Sequence, residues 1–246
     1  YSPLDALEIA AATPARQVVF LGVGFETTAP VVAVTILDAA KRGLNNFSVF
    51  SAHKLVPPAM EALCADSGLQ VDGFLCPGHV STVIGLEPYR FLAEQHHKPA
   101  VIAGFEIVDI LHALLLIAEM LRLDKPAAVN AYPRAVSDAG NPTAREILQR
   151  VFMQSDSVWR GLGLIRKSGL QIRPEFARFD AAVRFGLKET ETQTPNGCSC
   201  GDILRGLKTP PQCPLYKKVC TPQTPMGACM VSSEGTCAAY YKYIVD

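Results

Sequence analysis

The 246-residue sequence has no excess of either charge, because 23 Lys and Arg balance 23 Asp and Glu. A neutral chain lacks the basic surface that phosphate backbones and anionic lipids select, so neither nucleic acid nor membrane is an expected partner. It also lacks a long apolar run. The longest, Ile110 to Met120, is broken by His112 and Glu119 and is too short for a bilayer. No charged stretch followed by an apolar one opens the chain, so no signal peptide is visible and a cytoplasmic location is expected. Low-complexity tracts are missing, and the one internal repeat is Gly-Phe-Glu at 24–26 and 104–106. Cysteine is nearly absent from the first 197 residues, which hold only Cys64 and Cys76. The paired C-x2-C spacing that zinc favours occurs nowhere.

What is present concentrates at the end. Cys198, Cys200, Cys213, Cys220, Cys229 and Cys237 fall in the last fifth of the chain, among Pro210, Pro211, Pro214, Pro222, Pro225, Gly201, Gly206, Gly227 and Gly235. That much Pro and Gly excludes long helices and central strands. A loop-rich segment of this size buries too little apolar surface to hold itself together, which calls for cross-links. The spacings, C-x-C and then gaps of 12, 6, 8 and 7 residues, leave an iron–sulfur cluster, zinc and disulfides all open. Cys64 matches no motif and reads as a core residue.

Upstream, strand and helix signals alternate, the pattern of an α/β core with a parallel sheet. Residues 3–11 read as a short amphipathic helix, residues 17–22 as a buried strand, and residues 29–42 as a helix. Further strands are predicted over 47–51, 71–75, 100–103 and 127–129, with helices over 57–66, 107–121 and 141–153. Residues 159–170 read as turn-rich and placed to cover an interface, residues 172–185 as a segment packing on the α/β layer, and the polar stretch 189–197 as a linker. Three strands run into glycine-bearing turns that carry Glu26, His79 and Glu106. Open α/β sheets keep their chemistry at such strand ends. The repeated Gly-Phe-Glu suggests two related turns facing one cleft. Thr27 and Thr28 suit a helix cap or an anion. Cys76, three residues before His79, offers a metal ligand, a proton relay or simple packing. Arg134 and Arg160 suit either a bidentate anion or a structural ion pair.

GFETTAP at 24–30, CPGHVSTVIG at 76–85, GFEIVDIL at 104–111 and NAYPRAV…GN at 130–141 resemble the HypD family of [NiFe] hydrogenase maturation factors. So do WRGLGLIRKSGLQIRPEFARFDA at 159–181 and CMVSSEGTCAAYYKY at 229–243. The resemblance implies a [4Fe–4S] cluster on ligands spaced C-x14-C-x6-C-x16-C, which Cys198, Cys213, Cys220 and Cys237 reproduce, leaving Cys200 and Cys229 over. It implies a working cleft in which Cys76, His79, Glu26 and Glu106 are the candidate catalytic residues. The implied role is assembly of the Fe(CN)2CO group of [NiFe] hydrogenase, as scaffold and redox partner rather than turnover enzyme. The implied partners are a HypC-type chaperone that shares the iron and a HypE-type cyanide donor. Family members carry an upstream segment with a Cys-Gly-x-His element that this sequence, opening at Tyr1, does not contain, so the site for the transient Fe(CN)2CO iron is expected to be incomplete. Three regions are expected: an α/β domain over 1–120, a second α/β segment over 121–190 and the [4Fe–4S] module over 191–246. The alternative is an iron–sulfur thiol–disulfide or electron-transfer protein for another partner.

Overall fold

The computed structural model describes residues 2–187 and 195–244. Of these, residues 2–61, 72–157 and 166–187 form one unit, and residues 62–71, 158–165 and 195–244 form another.

The first unit begins with α1 (Pro3–Ala12), whose start is built from three adjacent signals. Pro3 sits in the first turn, the Ser2 hydroxyl accepts from the Leu4 N–H at 3.2 Å, and the Asp5 carboxylate accepts from the Ser2 N–H at 3.1 Å. Next come β1 (Val18–Gly24), α2 (Ala29–Lys41) and β2 (Phe47–His53). The two strands pair in parallel, Val18 opposite Phe47 through Gly24 opposite His53. Leu7 and Ala10 of α1 and Val32, Ala33 and Ile36 of α2 bury against Phe47 and Val49 of β2. Removing a side chain the size of Ile36 from water contributes about 2 kcal/mol. The opposite face of β1 is open, with Leu21 66% and Val23 69% exposed, so the strand is half-buried rather than fully buried as its apolar run predicted. An unbroken apolar run records what a strand could bury on both faces, not whether a second layer lies over it. Thr28 also departs from expectation: its hydroxyl donates back to the Phe25 carbonyl at 3.2 Å and caps no helix N–H.

After α3 (Val56–Cys64) come β3 (Phe74–Pro77), α4 (Gly78–Ile84), α5 (Arg90–Glu94), β4 (Ala100–Ala103), α6 (Ile107–Leu123) and β5 (Ala128–Asn130). Here the order β3-β4-β5 is parallel throughout and separate from β1-β2, so the expected parallel sheet is realised as two small ones. Val101, Ala103 and Ala113 anchor α6 to this sheet, with Leu116, Ile117 and Met120 packed around them. α7 (Pro142–Val151) starts on an Asn141 cap and passes directly into β6 (Phe152–Trp159) and β7 (Gly163–Ile172). That ribbon replaces the turn-rich stretch predicted over 159–170. The turn is confined to residues 160–162, where Gly161 takes a positive φ of 91°. A connection this short joins only antiparallel neighbours. Residues 174–179 form a 3₁₀ segment that leads into α8 (Ala181–Phe185), whose cap is Asp180.

In the second unit α9 (Cys200–Leu204), α10 (Ala228–Val231) and α11 (Thr236–Tyr243) are short, as the Pro and Gly content requires. Its buried centre consists of Cys200, Ile203, Cys213, Tyr216, Cys220, Cys229, Met230, Cys237 and Ala238. Arg205 joins the earlier piece of chain to the tail: it pairs with Asp66 and Asp202, and its carbonyl accepts from the Gln70 N–H at 2.8 Å. Of the predicted linker, residues 189–194 lie outside the described residues. Among the described residues no helix is long and apolar enough to cross a membrane.

Asn46 fixes the turn between α2 and β2 against α1. Its buried amide donates to the carbonyls of Ala10 at 2.8 Å, Thr13 at 3.1 Å and Arg16 at 2.9 Å. Asn46→Ala is expected to destabilise the first unit by about 2 kcal/mol in urea melts, and Asn45→Ala, at an exposed site, by less than about 0.5 kcal/mol.

Candidate functional site

Sulfur is the commonest buried polar element of the second unit. Cys213 draws the most support from the backbone. Burial raises its pKa, but N–H groups of Ser199, Leu215 and Tyr216 and the Ser199 hydroxyl outweigh burial, so the thiol sits below its ordinary value. Hydrogen bonds to the charged form are what a thiolate ligand requires. Cys220 Sγ accepts from the Met226 N–H at 3.4 Å. Cys198 lies close enough to Cys213 and Cys220 to feel both, and its pKa is raised, first by burial. Gly227 leaves room for this gathering: a Cβ there would stand 2.6 Å from Cys198 Sγ, 3.4 Å from Cys200 Cβ and 3.8 Å from Cys229 Sγ.

Cys200 and Cys229 hydrogen-bond to each other, and Cys200 is raised first by that bond and then by burial. At Cys229 the Cys200 bond lowers the pKa, but the bond to Cys237 and burial outweigh it and push the thiol up to about 12. Cys229 Sγ lies 3.0 Å from Cys237 Sγ. Among the described residues no three His, Cys, Asp or Glu side chains converge as a single-ion site. Thiolates that hold an iron–sulfur cluster stand farther apart than those around one ion, because iron and sulfide fill the space between them. The four cysteines spaced C-x14-C-x6-C-x16-C, with the cradle at Gly227 and N–H donors on Cys213 and Cys220, fit a group of that kind.

The four candidate catalytic residues of the first unit separate into an inner and an outer pair. Glu26 and Cys76 are inside, 3% and 2% exposed. Glu26 Oε1 accepts from the Val56 N–H at 2.9 Å, while Oε2 is buried with no hydrogen-bond partner among the described residues. Burial pushes Glu26 up to about 7 against the pull of those N–H bonds, and burial also pushes the Cys76 thiol up. Both groups reach Tyr89, which is raised first by its own burial, and whose hydroxyl lies 3.3 Å from that of Ser81. Cys76 is therefore held as a neutral thiol. Glu26 also lines a cavity of about 630 Å³, together with Pro57, Pro58, Phe91, Arg145, Phe152 and Arg173.

His79 and Glu106 are outside, at the C-terminal ends of β3 and β4. The His79 ring stacks on Phe105 with centroids 4.5 Å apart. Arg134 grips Asp109 with both guanidinium nitrogens, the Nη1–Oδ1 bond measuring 2.7 Å, and lies 4.4 Å over the Tyr132 ring. The bond from Arg134 holds Asp109 below the ordinary carboxylate range. Arg134 is thus committed to an ion pair, and Arg160 donates to the Met226 carbonyl at 2.6 Å. Gly78 and Gly104 press on Tyr132, where a Cβ would come within 3.0 and 2.7 Å of the ring. The two Gly-Phe-Glu turns are thus different local solutions, one burying its glutamate and the other exposing it. Sequence reasoning passed over Asp109, which hides among the apolar residues of α6, and gave Tyr132 no role. The glycines beside both strand ends were the available signal that something bulky packs there.

A family model, HypD, described as the hydrogenase formation hypA family, matches residues 1–244. The chain belongs to the HypD family. It is 47% identical to hydrogenase maturation factor HypD2 of Bradyrhizobium diazoefficiens over 250 residues, covering 99% of this chain and 66% of that protein. The hydrogenase expression/formation protein HupD of Azotobacter chroococcum is also 47% identical, over 99% of this chain and 66% of its own length. HypD of Escherichia coli is 43% identical, over 99% and 65%. This HypD-family chain therefore spans about two thirds of the length of the curated relatives it matches.

The carboxyl of Glu26 makes stability depend on pH. Its pKa rises from 4.5 to about 7 on folding, so the cost of burying its charge is absent below pH 4.5, grows as pH rises, and is complete above about 7. Glu26→Gln keeps an oxygen for the Val56 N–H and removes the charge. The stability it gains over the parent in urea melts should grow by about 3 kcal/mol between pH 4.5 and about pH 8, and an offset that does not change with pH would show that Glu26 titrates in the folded chain as it does in the unfolded one.

Proposed function

We propose that this chain acts in the maturation of [NiFe] hydrogenase, as the part of a HypD-type factor that carries a [4Fe–4S] cluster on Cys198, Cys213, Cys220 and Cys237. Family membership carries the reading, and it favours this role over electron transfer to an unrelated partner. The cluster assignment is supported by the four-cysteine spacing, by the N–H donors directed at Cys213 and Cys220, and by the space left at Gly227. A bound cluster supplies single electrons at a potential set by its thiolate hydrogen bonds and its cover. The chain's own part is to present four deprotonated sulfurs, direct backbone N–H groups at them, and limit water. Tyr240 and Tyr241 stand edge-on to Tyr216 beside the cysteines, with centroids 6.2 and 6.1 Å away, and serve as that cover. The cargo is the iron that becomes Fe(CN)2CO, shared with a HypC-type chaperone and cyanated by a HypE-type donor. In the first unit His79, Phe105 and Glu106 line the strand ends where that exchange takes place. The setting is the cytoplasm.

Two measurements test this reading. Protein purified without oxygen should carry about four irons and four sulfides with a broad brown absorption, whereas stoichiometric zinc or no metal after reconstitution would make the tail a staple. Cys213→Ser should lose most of that iron, and unchanged iron would remove Cys213 from the ligand set. Grafting this chain in place of the matching two thirds of the Escherichia coli relative should restore hydrogenase activity to a strain lacking that relative. A stable, cluster-loaded chimera that restores none would sink the maturation role.

A further inference from the structure

Every residue lining the cavity of about 630 Å³ belongs to the first unit. Sites that hold small molecules run from about 300 to about 1,000 Å³ and are mostly apolar, with a few placed polar groups. The walls here are of that kind: Leu55 and Phe152 are buried, and Pro57, Phe91 and Leu148 half-buried. Glu26 stands among the buried residues of the lining. Its Oε1 takes the Val56 N–H, and its Oε2 has no partner among the described residues. Of the buried polar atoms left in that state, this oxygen alone belongs to a residue lining the cavity. A carboxylate without a partner in an apolar wall is costly. Nearer to solvent the lining carries two guanidiniums. Arg145, exposed and one turn before Leu148 on α7, donates from Nη1 to the Ala139 carbonyl at 3.1 Å. Arg173, half-buried, donates from Nε to the carbonyls of Gln149 at 2.7 Å and Phe152 at 3.1 Å, and so closes the C-terminal end of α7. Backbone carbonyls thus orient both side chains, and among the described residues no carboxylate pairs with either. Glu61, exposed on α3, is the remaining charged residue of the lining.

We propose that this cavity binds a small zwitterion with an apolar spacer, an ω-amino carboxylate, with its ammonium on Glu26 Oε2 and its carboxylate between Arg145 and Arg173. Each part of the ligand answers a part of the lining. Oε2 lacks a donor, and a cationic donor also offsets what the carboxylate lost when it left water. Guanidinium forks match an acceptor that holds two oxygens in one plane. The walls between them shed water onto which a methylene chain can close. A simple amine meets two arginines that repel it, and a simple carboxylate leaves Oε2 bare, so neither satisfies both ends. Neither the cysteines of the second unit nor the exposed pair His79 and Glu106 line this cavity.

Titration calorimetry on the whole chain tests the two ends separately. The probes are γ-aminobutyrate, ε-aminocaproate and ω-aminocaprylate, each beside the amine-free acid and the acid-free amine of equal length. The zwitterion of best length should bind at least about tenfold tighter than either control. Glu26→Gln should lower that affinity to the level of the amine-free acid and leave the acid's own binding unchanged. This variant removes a buried charge and is expected to stabilise the fold at neutral pH, so lost affinity in it is not lost structure. Arg145→Gln, at an exposed site, should weaken the zwitterion and the acid about tenfold and leave the amine unchanged. The Val56 N–H, which donates to the same carboxylate, should shift in nitrogen–proton correlation spectra as the zwitterion is added. A Val56 signal that stays fixed while the zwitterion binds would put the ligand elsewhere and overturn the proposal. A folded chain that binds none of the zwitterions overturns it too, as does an amine-free acid that binds as tightly as the zwitterion. The maturation role is decided apart from this, by iron and sulfide content and by the chimera.

Discussion

A segment crowded with proline and glycine has few backbone N–H groups to give and few large side chains to pack, so its shape depends on where sulfur can come close to the backbone. The second unit meets that constraint with small residues at the contacts. Gly227 stands against Cys198, Gly235 against the backbone of Cys229, and Gly161 against Cys200, where a Cβ would lie 3.3 Å from Sγ. Each is a close approach to a cysteine, by its sulfur or its backbone, that a methyl group would obstruct. The available donors are spent unevenly: Cys213 collects several, and Cys220 receives the Met226 N–H. Thiolates supported to different degrees bind iron with different strength, so the electronic structure of a bound cluster would not be symmetric over its four corners.

The first unit answers to a different constraint. Parallel strands put their carboxyl ends side by side, and the segments leaving β3, β4 and β5, the first of them α4, bring His79, Phe105, Tyr132 and Arg134 to one edge. Asp109 and Arg134 fix the rear of that edge with a two-pronged ion pair, which leaves the histidine and the aromatic ring in front. Inside, Glu26, Cys76 and Tyr89 share a low-dielectric interior where each is disfavoured as a charge. His53 belongs to the same class: burial drops it to about 4, and its Nε2 has no hydrogen-bond partner among the described residues. Its cost appears as pH falls below 6.5, opposite in sign to that of Glu26, so the two groups oppose each other over the same mildly acid range.

Much of this was legible in the sequence because local signals and tertiary structure agree. The strand at 100–103 was read with its observed limits, and the strands and helices flanking Glu26 and Glu106 were placed within a few residues, but the strand before His79 was set too early and α4, which holds His79, was not anticipated. The tail declared itself through cysteine count and spacing. What escaped depends on contacts far apart in sequence. β7 carries glycines that look like loop residues in isolation, but Gly169 sits where a Cβ would be 2.8 Å from Ser157 Cβ, a close approach of one strand to its partner. Whether β1 is covered on both faces depends on a second layer, and periodicity is silent about layers. The division of Glu26 and Cys76 from His79 and Glu106 follows from which way each turn closes, which Gly-Phe-Glu does not encode twice in the same way.

The second unit is drawn from three separated pieces of chain, residues 62–71, 158–165 and 195–244. A ribosome delivers them in that order. Asp66 and Gln70 leave the tunnel long before Arg205, the residue that pairs with the one and accepts from the other, has been made. Gly161 likewise waits for Cys200. Domains that fold as their sequence emerges can bury their surfaces early, but this unit can close only after its last cysteines appear. Between synthesis and closure the thiols are bare, and they are open to any ligand or oxidant that reaches them first.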